Sequence, residues 1–195
     1  KAPYIAVERV DKYGMPHSIT AWMHKDNVAS WTWPGYEGKP ANVDVYSEAE
    51  EVELLLNGTS LGRKPAGEKH GFMATYEMTY EPGELLAVSY CNGEETGRDV
   101  LYTAGEKVQM QVDCEGEVLK ADGADLAFLT VKLTDDKGID NLFAQKEITV
   151  TVEGAGTLQG FGNADPGAIG SYDDTTWKTF DGYVMAVVRA GKEAG

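Results

Sequence analysis

The chain has 195 residues, of which 42% are hydrophobic and 25% are charged, as is typical of globular proteins. Its formal net charge of −15 disfavours binding to nucleic acids and to anionic membrane surfaces. No apolar run approaches the roughly 18 residues of a membrane-spanning helix, and we expect no signal peptide at the N-terminus. The length predicts one large domain or two domains of about 100 residues each.

The first half of the chain alternates apolar and polar residues with a period of two, which predicts half-buried β-strands. Residues 51–56 and 72–80 show this pattern most clearly. The first segment places Val52, Leu54 and Leu56 on one face, and the second places Phe72, Ala74, Tyr76, Met78 and Tyr80 on one face. Asn57 and Gly58 follow the first segment and suit the two positive φ angles of a type I′ turn. This half therefore reads as a series of hairpins.

The second half continues the same pattern after a boundary that we predict within residues 102–107. Short strands separated by Gly, Pro and Asn, without a sustained 3.6-residue period, are typical of β-sandwiches. We predict an all-β fold of two tandem immunoglobulin-like β-sandwich domains, residues 1–105 and 106–195. The alternating segments of the second domain are 108–112, 127–133, 148–152 and 184–188.

Motifs for catalysis, metal binding or cofactor binding are not evident in the sequence. The glycine-rich segment 154–167 lacks the P-loop pattern, and no G-x-S-x-G motif is present. The His and Cys residues lack metal-ligand spacing, and Cys91 and Cys114 are expected to be free thiols. A carboxylate pair for glycoside hydrolysis would have to flank a cleft, which two small sandwiches do not offer. We therefore predict no catalytic residue, no metal and no cofactor in this chain.

Several long segments occur in an order that resembles one enzyme family. They are SWTWPGYEGKPANVDVYSEAEEVELLLNGTSLGRK, YEPGELLAVSY and YTAG in the first half, and LKADGADLAFLTVKLTDDKG, GTLQGFGNADP and VMAVVRAGKEAG in the second. The first group resembles the β-sandwich behind the catalytic barrel of glycoside hydrolase family 2 β-galactosidases. The second group resembles the immunoglobulin-like C-terminal domain of the same enzymes.

The resemblance implies an accessory region whose partner is the catalytic barrel of the same polypeptide. The acid/base and nucleophile glutamates of the family lie on that barrel, so no residue of this chain is expected to correspond to them. The family usually has glycine where this chain has Ala164, and a left-handed conformation would be costly for alanine there. The family also continues with a last strand, so the second domain is expected to have an unpaired edge that frays at 183–190.

Four residues of the segment SWTWPGYEGKP are the candidate site residues: Trp31, Trp33, Tyr36 and Glu37. Two indoles at i and i+2 of an extended segment point to the same face. If that face is inward, the indoles close the sandwich core. If it is outward, they form a platform for a sugar ring, and Tyr36 and Glu37 offer hydrogen bonds. In an intact enzyme the segment could instead dock against the barrel.

The sequence thus predicts a non-catalytic accessory region of a bacterial β-galactosidase, which supports the barrel, the oligomer or access of substrate. A carbohydrate-binding module is an alternative and depends on the two tryptophans. A surface adhesin is another, because residues 120–138 resemble the start of invasin-type immunoglobulin repeats.

Overall fold

A computed structural model describes residues 2–16, 25–116 and 118–195 of the chain. These residues form two compact units, Lys1–Thr103 (unit 1) and Ala104–Gly195 (unit 2). The predicted all-β fold is confirmed, because the described residues form antiparallel sheets and only two three-residue 3₁₀ turns. None of the described helical segments has the length or apolar character to span a membrane. His17, Trp22 and His24 lie outside the described residues.

Unit 1 consists of two four-stranded antiparallel sheets, ordered β2-β1-β3-β6 and β5-β4-β7-β8. The chain crosses between the sheets after β3, β5 and β6, which is the Greek-key order of an immunoglobulin-like sandwich. The strands are β1 (Tyr4–Glu8), β2 (Asn27–Val28), β3 (Pro40–Tyr46), β4 (Glu51–Leu56), β5 (Thr59–Pro65), β6 (Met73–Thr79), β7 (Glu84–Cys91) and β8 (Glu94–Tyr102).

The core of unit 1 lies between these two sheets. The inward positions predicted by the alternation of β4 are confirmed for Val52 and Leu54, which are fully buried. Tyr76, on β6, crosses the interface and donates its hydroxyl to the Val52 carbonyl at 2.8 Å. At the side of the sandwich, the Ile5 N–H donates to Asp99 Oδ2 at 2.7 Å and so connects β1 with β8.

The predicted Asn-Gly turn between β4 and β5 is confirmed. Asn57 has a φ of 50° and Gly58 a φ of 78°, the two positive angles that a type I′ turn requires. The Asn57 side chain also holds the loop between β6 and β7, because its Oδ1 accepts the Glu84 N–H at 2.9 Å. Its Nδ2 donates to the Pro82 carbonyl at 3.1 Å. This one asparagine therefore organises two adjacent turns.

The alternation predicted that Phe72 shares one face with Ala74 and Tyr76, and the structure does not place it there, because Ala74 and Tyr76 are buried and Phe72 is not. The side chain is 46% exposed, and the backbone has a φ of 61°. Its N–H donates to the Gly67 carbonyl and its carbonyl accepts the Ser47 N–H, so Phe72 belongs to the loop before β6. The inward alternation begins only at Ala74, which is buried.

Unit 2 has one four-stranded sheet, ordered β12-β14-β10-β9, and a two-stranded sheet of β11 and β13. Its core joins Val131, Phe161, Val184 and Ala186, and Trp177 of the smaller sheet packs against them. The strands are β9 (Gln109–Glu115), β10 (Leu126–Thr134), β11 (Glu147–Thr149), β12 (Gly156–Gly162), β13 (Thr176–Lys178) and β14 (Tyr183–Ala190).

The free edge expected at residues 183–190 does not exist. Strand β14 lies in the middle of its sheet and pairs with both β10 and β12 along its length. Fraying there is therefore not expected, because both sides of the strand are hydrogen-bonded. Ala164 does not have a positive φ either, so the turn that contains it avoids the strain considered above.

Candidate functional site

Trp31 and Trp33 lie between β2 and β3 and face the interior of unit 1. Their side chains are 0% and 1% exposed. The Trp31 indole packs edge-on against the Tyr80 ring, with 4.9 Å between ring centroids. Its Nε1–H donates to the Glu81 carbonyl at 2.9 Å. The indoles therefore close the core, as the inward alternative proposed, and they present no platform to solvent.

The Tyr80 hydroxyl holds the tryptophan segment in place. This oxygen accepts the Trp33 N–H at 3.1 Å and donates to the Trp31 carbonyl at 3.5 Å. The same carbonyl accepts a shorter bond of 2.6 Å from Thr103 Oγ1. A buried backbone segment without regular strand pairing needs such side-chain partners for its polar groups. The sequence offered no sign of them, because Tyr80 and Thr103 lie far away along the chain.

Tyr36 and Glu37 follow in an exposed turn, so the four candidate residues do not form one surface. The Tyr36 N–H donates to the Trp33 carbonyl at 3.2 Å. Glu37 is exposed, and its Oε1 accepts the Gly35 N–H at 3.2 Å. A sugar ring could not stack on the indoles while these two residues bind its edge. Docking of the exposed turn against a barrel stays a prediction.

The two buried carboxylates of the described residues, Asp44 and Asp135, have structural partners. Asp44 contacts Lys25 Nζ at 2.7 Å, Asn27 Nδ2 at 2.8 Å and Thr75 Oγ1 at 2.6 Å. This set joins the start of the described segment 25–116 to β3 and β6. A carboxylate bound in this way holds the fold together and has no oxygen available for substrate.

Asp135 closes a turn in unit 2. Its carboxylate accepts backbone N–H groups from Gly105 and Lys137 at 2.8 Å and from Ile139 at 2.9 Å. Burial raises the pKa of this carboxyl, but the three N–H donors outweigh burial and hold the pKa below its ordinary value. A general acid for glycoside hydrolysis needs a raised pKa, so Asp135 has the opposite character.

Cys91 and Cys114 are free thiols, as predicted. Across residues 2–16, 25–116 and 118–195, no group of three His, Cys, Asp or Glu side chains is arranged to hold a metal ion. The buried carboxylates of the described residues thus have structural partners, and the tryptophans of the candidate segment pack in the core.

A hollow of about 350 Å³ that sequence reasoning missed lies at one end of the first sheet of unit 1. Tyr46 and Phe72 form its aromatic walls, and Ala2, Ser47 and Glu48 complete it. Tyr4 stands directly opposite Tyr46 on the neighbouring strand. Tyr4 is the exposed first residue of β1 and Tyr46 the exposed last residue of β3, and their pairing depends on the register of the two strands.

A second cavity, of about 450 Å³, lies on unit 2, and its walls are almost entirely apolar. Gly160, Gly162, Met185 and Val187 are among its lining residues. Tyr172 forms one wall and stacks on Trp177, with 5.8 Å between centroids and 16° between ring planes.

Comparison with known proteins gives matches in both units. Residues 110–195 match the family described as glycoside hydrolase family 2 C-terminal domain 5. Residues 38–97 match DUF4982, a domain of unknown function. The chain is 29% identical over 200 residues to β-galactosidase BoGH2A of Bacteroides ovatus, which covers 95% of this chain and 23% of that protein. A β-galactosidase of Thermoanaerobacter pseudethanolicus is 26% identical over 149 residues, which is 68% of this chain and 20% of that protein.

A solved structure is similar over the whole chain. It is a glycosyl hydrolase family 2 member from Bacteroides cellulosilyticus, with 38% identity and a TM-score of 0.90. The match covers 100% of this chain and 26% of that one. The chain thus spans about a quarter of the length of the relatives that it matches.

Proposed function

We propose that the whole chain is a non-catalytic accessory region of a family 2 glycoside hydrolase, on the premise that residues 110–195 match the family described as glycoside hydrolase family 2 C-terminal domain 5. The relatives found are glycoside hydrolases, and the chain corresponds to their C-terminal region. The observation that carries the proposal is this partial match, which covers nearly all of the chain and about a quarter of each relative.

The proposed parent enzyme is a β-galactosidase. Support comes from the B. ovatus relative, which aligns over 95% of this chain. The use of Asp44 and Asp135 as structural carboxylates supports the non-catalytic part of the proposal, because neither is available to a glycosidic bond.

The proposed partner is the catalytic barrel of the same polypeptide. A packed neighbour of this kind covers apolar surface, and isolated monomers rarely expose much contiguous apolar area. Unit 2 has apolar surface at its cavity, where the lining residues Tyr172 and Met185 are exposed. In this role the two units hold the barrel and its oligomer in place, and the barrel carries out the chemistry.

The experiment measures hydrolysis of a chromogenic β-galactoside by the purified chain. We expect no turnover above the rate of buffer alone. Turnover that co-purifies with the folded chain and disappears when the same sample is heat-denatured would refute the proposal. A second measurement reads the coding sequence upstream of Lys1, where we expect an alternating strand–helix region with candidate glutamates.

A further inference from the structure

Three aromatic side chains are exposed together at one end of the first sheet of unit 1. Tyr4 is 54% exposed, Tyr46 40% and Phe72 46%. We call these three residues the aromatic triad. Aromatic side chains remove large areas from water when they are buried, so three exposed rings in one place indicate a surface that meets a ligand or partner.

The strands fix the geometry of the triad. Tyr4 and Tyr46 are paired across β1 and β3, where the Cβ atoms of opposite residues lie about 4.5–5.5 Å apart. Phe72 immediately precedes β6, whose first residue, Met73, pairs with Tyr46. Three neighbouring strands therefore bring the three rings to one end of the sheet. Between Tyr46 and Phe72 the hollow of about 350 Å³ is at the lower end of ligand-pocket volumes.

Phe72 has a positive φ and an exposed aromatic ring, and both are unfavourable for a phenylalanine. A positive φ is uncommon for a bulky residue and costs free energy. Two backbone hydrogen bonds hold this conformation, from the Phe72 N–H to Gly67 at 2.7 Å and from the Ser47 N–H to Phe72 at 2.8 Å. The loop thus keeps the ring outside the core. Strain of this kind in native proteins concentrates at ligand-binding sites.

The polar and apolar groups around the hollow indicate which class of ligand it would bind. Each tyrosine offers an apolar ring face and a phenol hydroxyl, and neither hydroxyl has a hydrogen-bond partner among the described residues. A sugar ring has the complementary surface, with C–H groups on its face and hydroxyls around its edge. The cavity of unit 2 is different, because its almost entirely apolar walls suit a hydrocarbon side chain.

The charge around the hollow selects among sugars. Glu48 is the charged side chain among the described residues that line the hollow, whereas the Glu50 carboxylate accepts the Asn92 N–H at 2.7 Å. The net charge of −15 extends this negative potential over the chain. An anionic sugar would be repelled, whereas a neutral hexose would not. We infer that the aromatic triad is a binding site for a neutral, hexose-containing saccharide. This inference concerns unit 1 and does not depend on the activity of the proposed parent enzyme.

The test is a titration of the ¹⁵N-labelled chain with lactose, followed by amide chemical shifts. A shallow site with few polar contacts predicts a Kd on the order of 1 mM. We expect the shift changes to concentrate at Tyr46, Ser47 and Phe72. Digalacturonate, an anionic disaccharide, is expected to bind at least about 10-fold more weakly, since like charges repel.

Variants separate the ring contacts from the fold. Phe72→Gly removes the ring and suits a positive φ, so we expect a folded chain with at least about 10-fold weaker lactose binding. Tyr46→Phe keeps the ring and removes the hydroxyl, and a smaller loss is expected. Tyr102→Ala is the matched control, since Tyr102 is 42% exposed on β8 of the other sheet. It should leave lactose binding unchanged.

Three outcomes would overturn the inference. One is the absence of lactose-dependent shifts in the triad at saturating sugar. The second is an equal loss of binding in the Tyr102→Ala control. The third is a triad that ignores lactose but responds to a family 2 catalytic domain, which would make this surface a protein-docking face.

Discussion

Tyr80→Phe tests whether the tryptophan segment is held in place by the Tyr80 hydroxyl. The substitution keeps the ring that packs on Trp31 and removes only the oxygen. The Trp33 N–H then loses its acceptor at 3.1 Å. The Trp31 carbonyl keeps its bond of 2.6 Å from Thr103, so the donor side of the hydroxyl contributes little. The expected loss is therefore that of one buried hydrogen bond.

Loss of the acceptor of a buried N–H costs about 1–3 kcal/mol, and the intact Thr103 bond favours the lower half of this range. We expect unit 1 to lose about 1.5 kcal/mol of unfolding free energy. For a unit of this size that corresponds to a decrease in Tm of about 6–12 °C. Tyr102→Phe, on an exposed side chain, should change the free energy of unfolding by less than about 0.5 kcal/mol.

Hydrogen exchange in native conditions, read by mass spectrometry, measures this loss for each unit separately. Peptides that contain Trp33 and the strands β3 and β6 should exchange faster in the variant. Peptides from unit 2 serve as an internal control and should not change. If protection around Trp33 were the same as in the parent chain, the hydroxyl would not be the group that anchors the segment.

Three further predictions concern charge and packing. Three N–H donors hold the pKa of Asp135 below its ordinary value of about 4, so its contribution to the stability of unit 2 is present above that pH and is lost as the pH falls. The Tm of unit 2, measured over an acid pH series, should decrease accordingly, and Asp135→Asn should weaken this pH dependence. Burial, assisted by the nearby Glu53 charge, raises the pKa of Tyr76 to about 12, so the contribution of Tyr76 to the stability of unit 1 is complete below pH 10 and is lost as the pH rises towards 12. Ultraviolet titration should show a phenolate that forms only at high pH and that Tyr76→Phe removes. In Gly170→Ala, the new Cβ would lie 2.8 Å from Trp177 Cζ2 and should cost about 1–3 kcal/mol in thermal unfolding of unit 2, whereas Gly160→Ala, with no neighbour closer than 3.8 Å, should cost less.

Local sequence patterns predicted the local structure well. Alternation identified the buried face of β4, and the Asn57-Gly58 pair identified its turn, because both signals act between adjacent residues. The same alternation failed at Phe72, where positive φ angles at Gly71 and Phe72 delay the start of β6. Alternation of apolar and polar residues does not reveal that the residue before a strand has a positive φ.

Features that depend on distant residues were beyond the sequence. Spacing placed Trp31 and Trp33 on one face, but only the Tyr80 hydroxyl and the packing around it determine that this face is inward. The aromatic triad needs the register of β1 against β3, which no local pattern contains. Likewise, β14 is the last strand along the described chain and yet lies in the middle of its sheet.

The unequal layers of the two units should make them melt in sequence. Nineteen of the described hydrophobic residues are buried in unit 1, compared with six in unit 2, where two three-residue strands face a four-stranded sheet. Buried apolar area supplies most of the favourable free energy of folding. Calorimetry of the whole chain should therefore resolve two endotherms, and the cooler one belongs to unit 2. At temperatures between the two transitions, unit 1 would still be folded while unit 2 is unfolded.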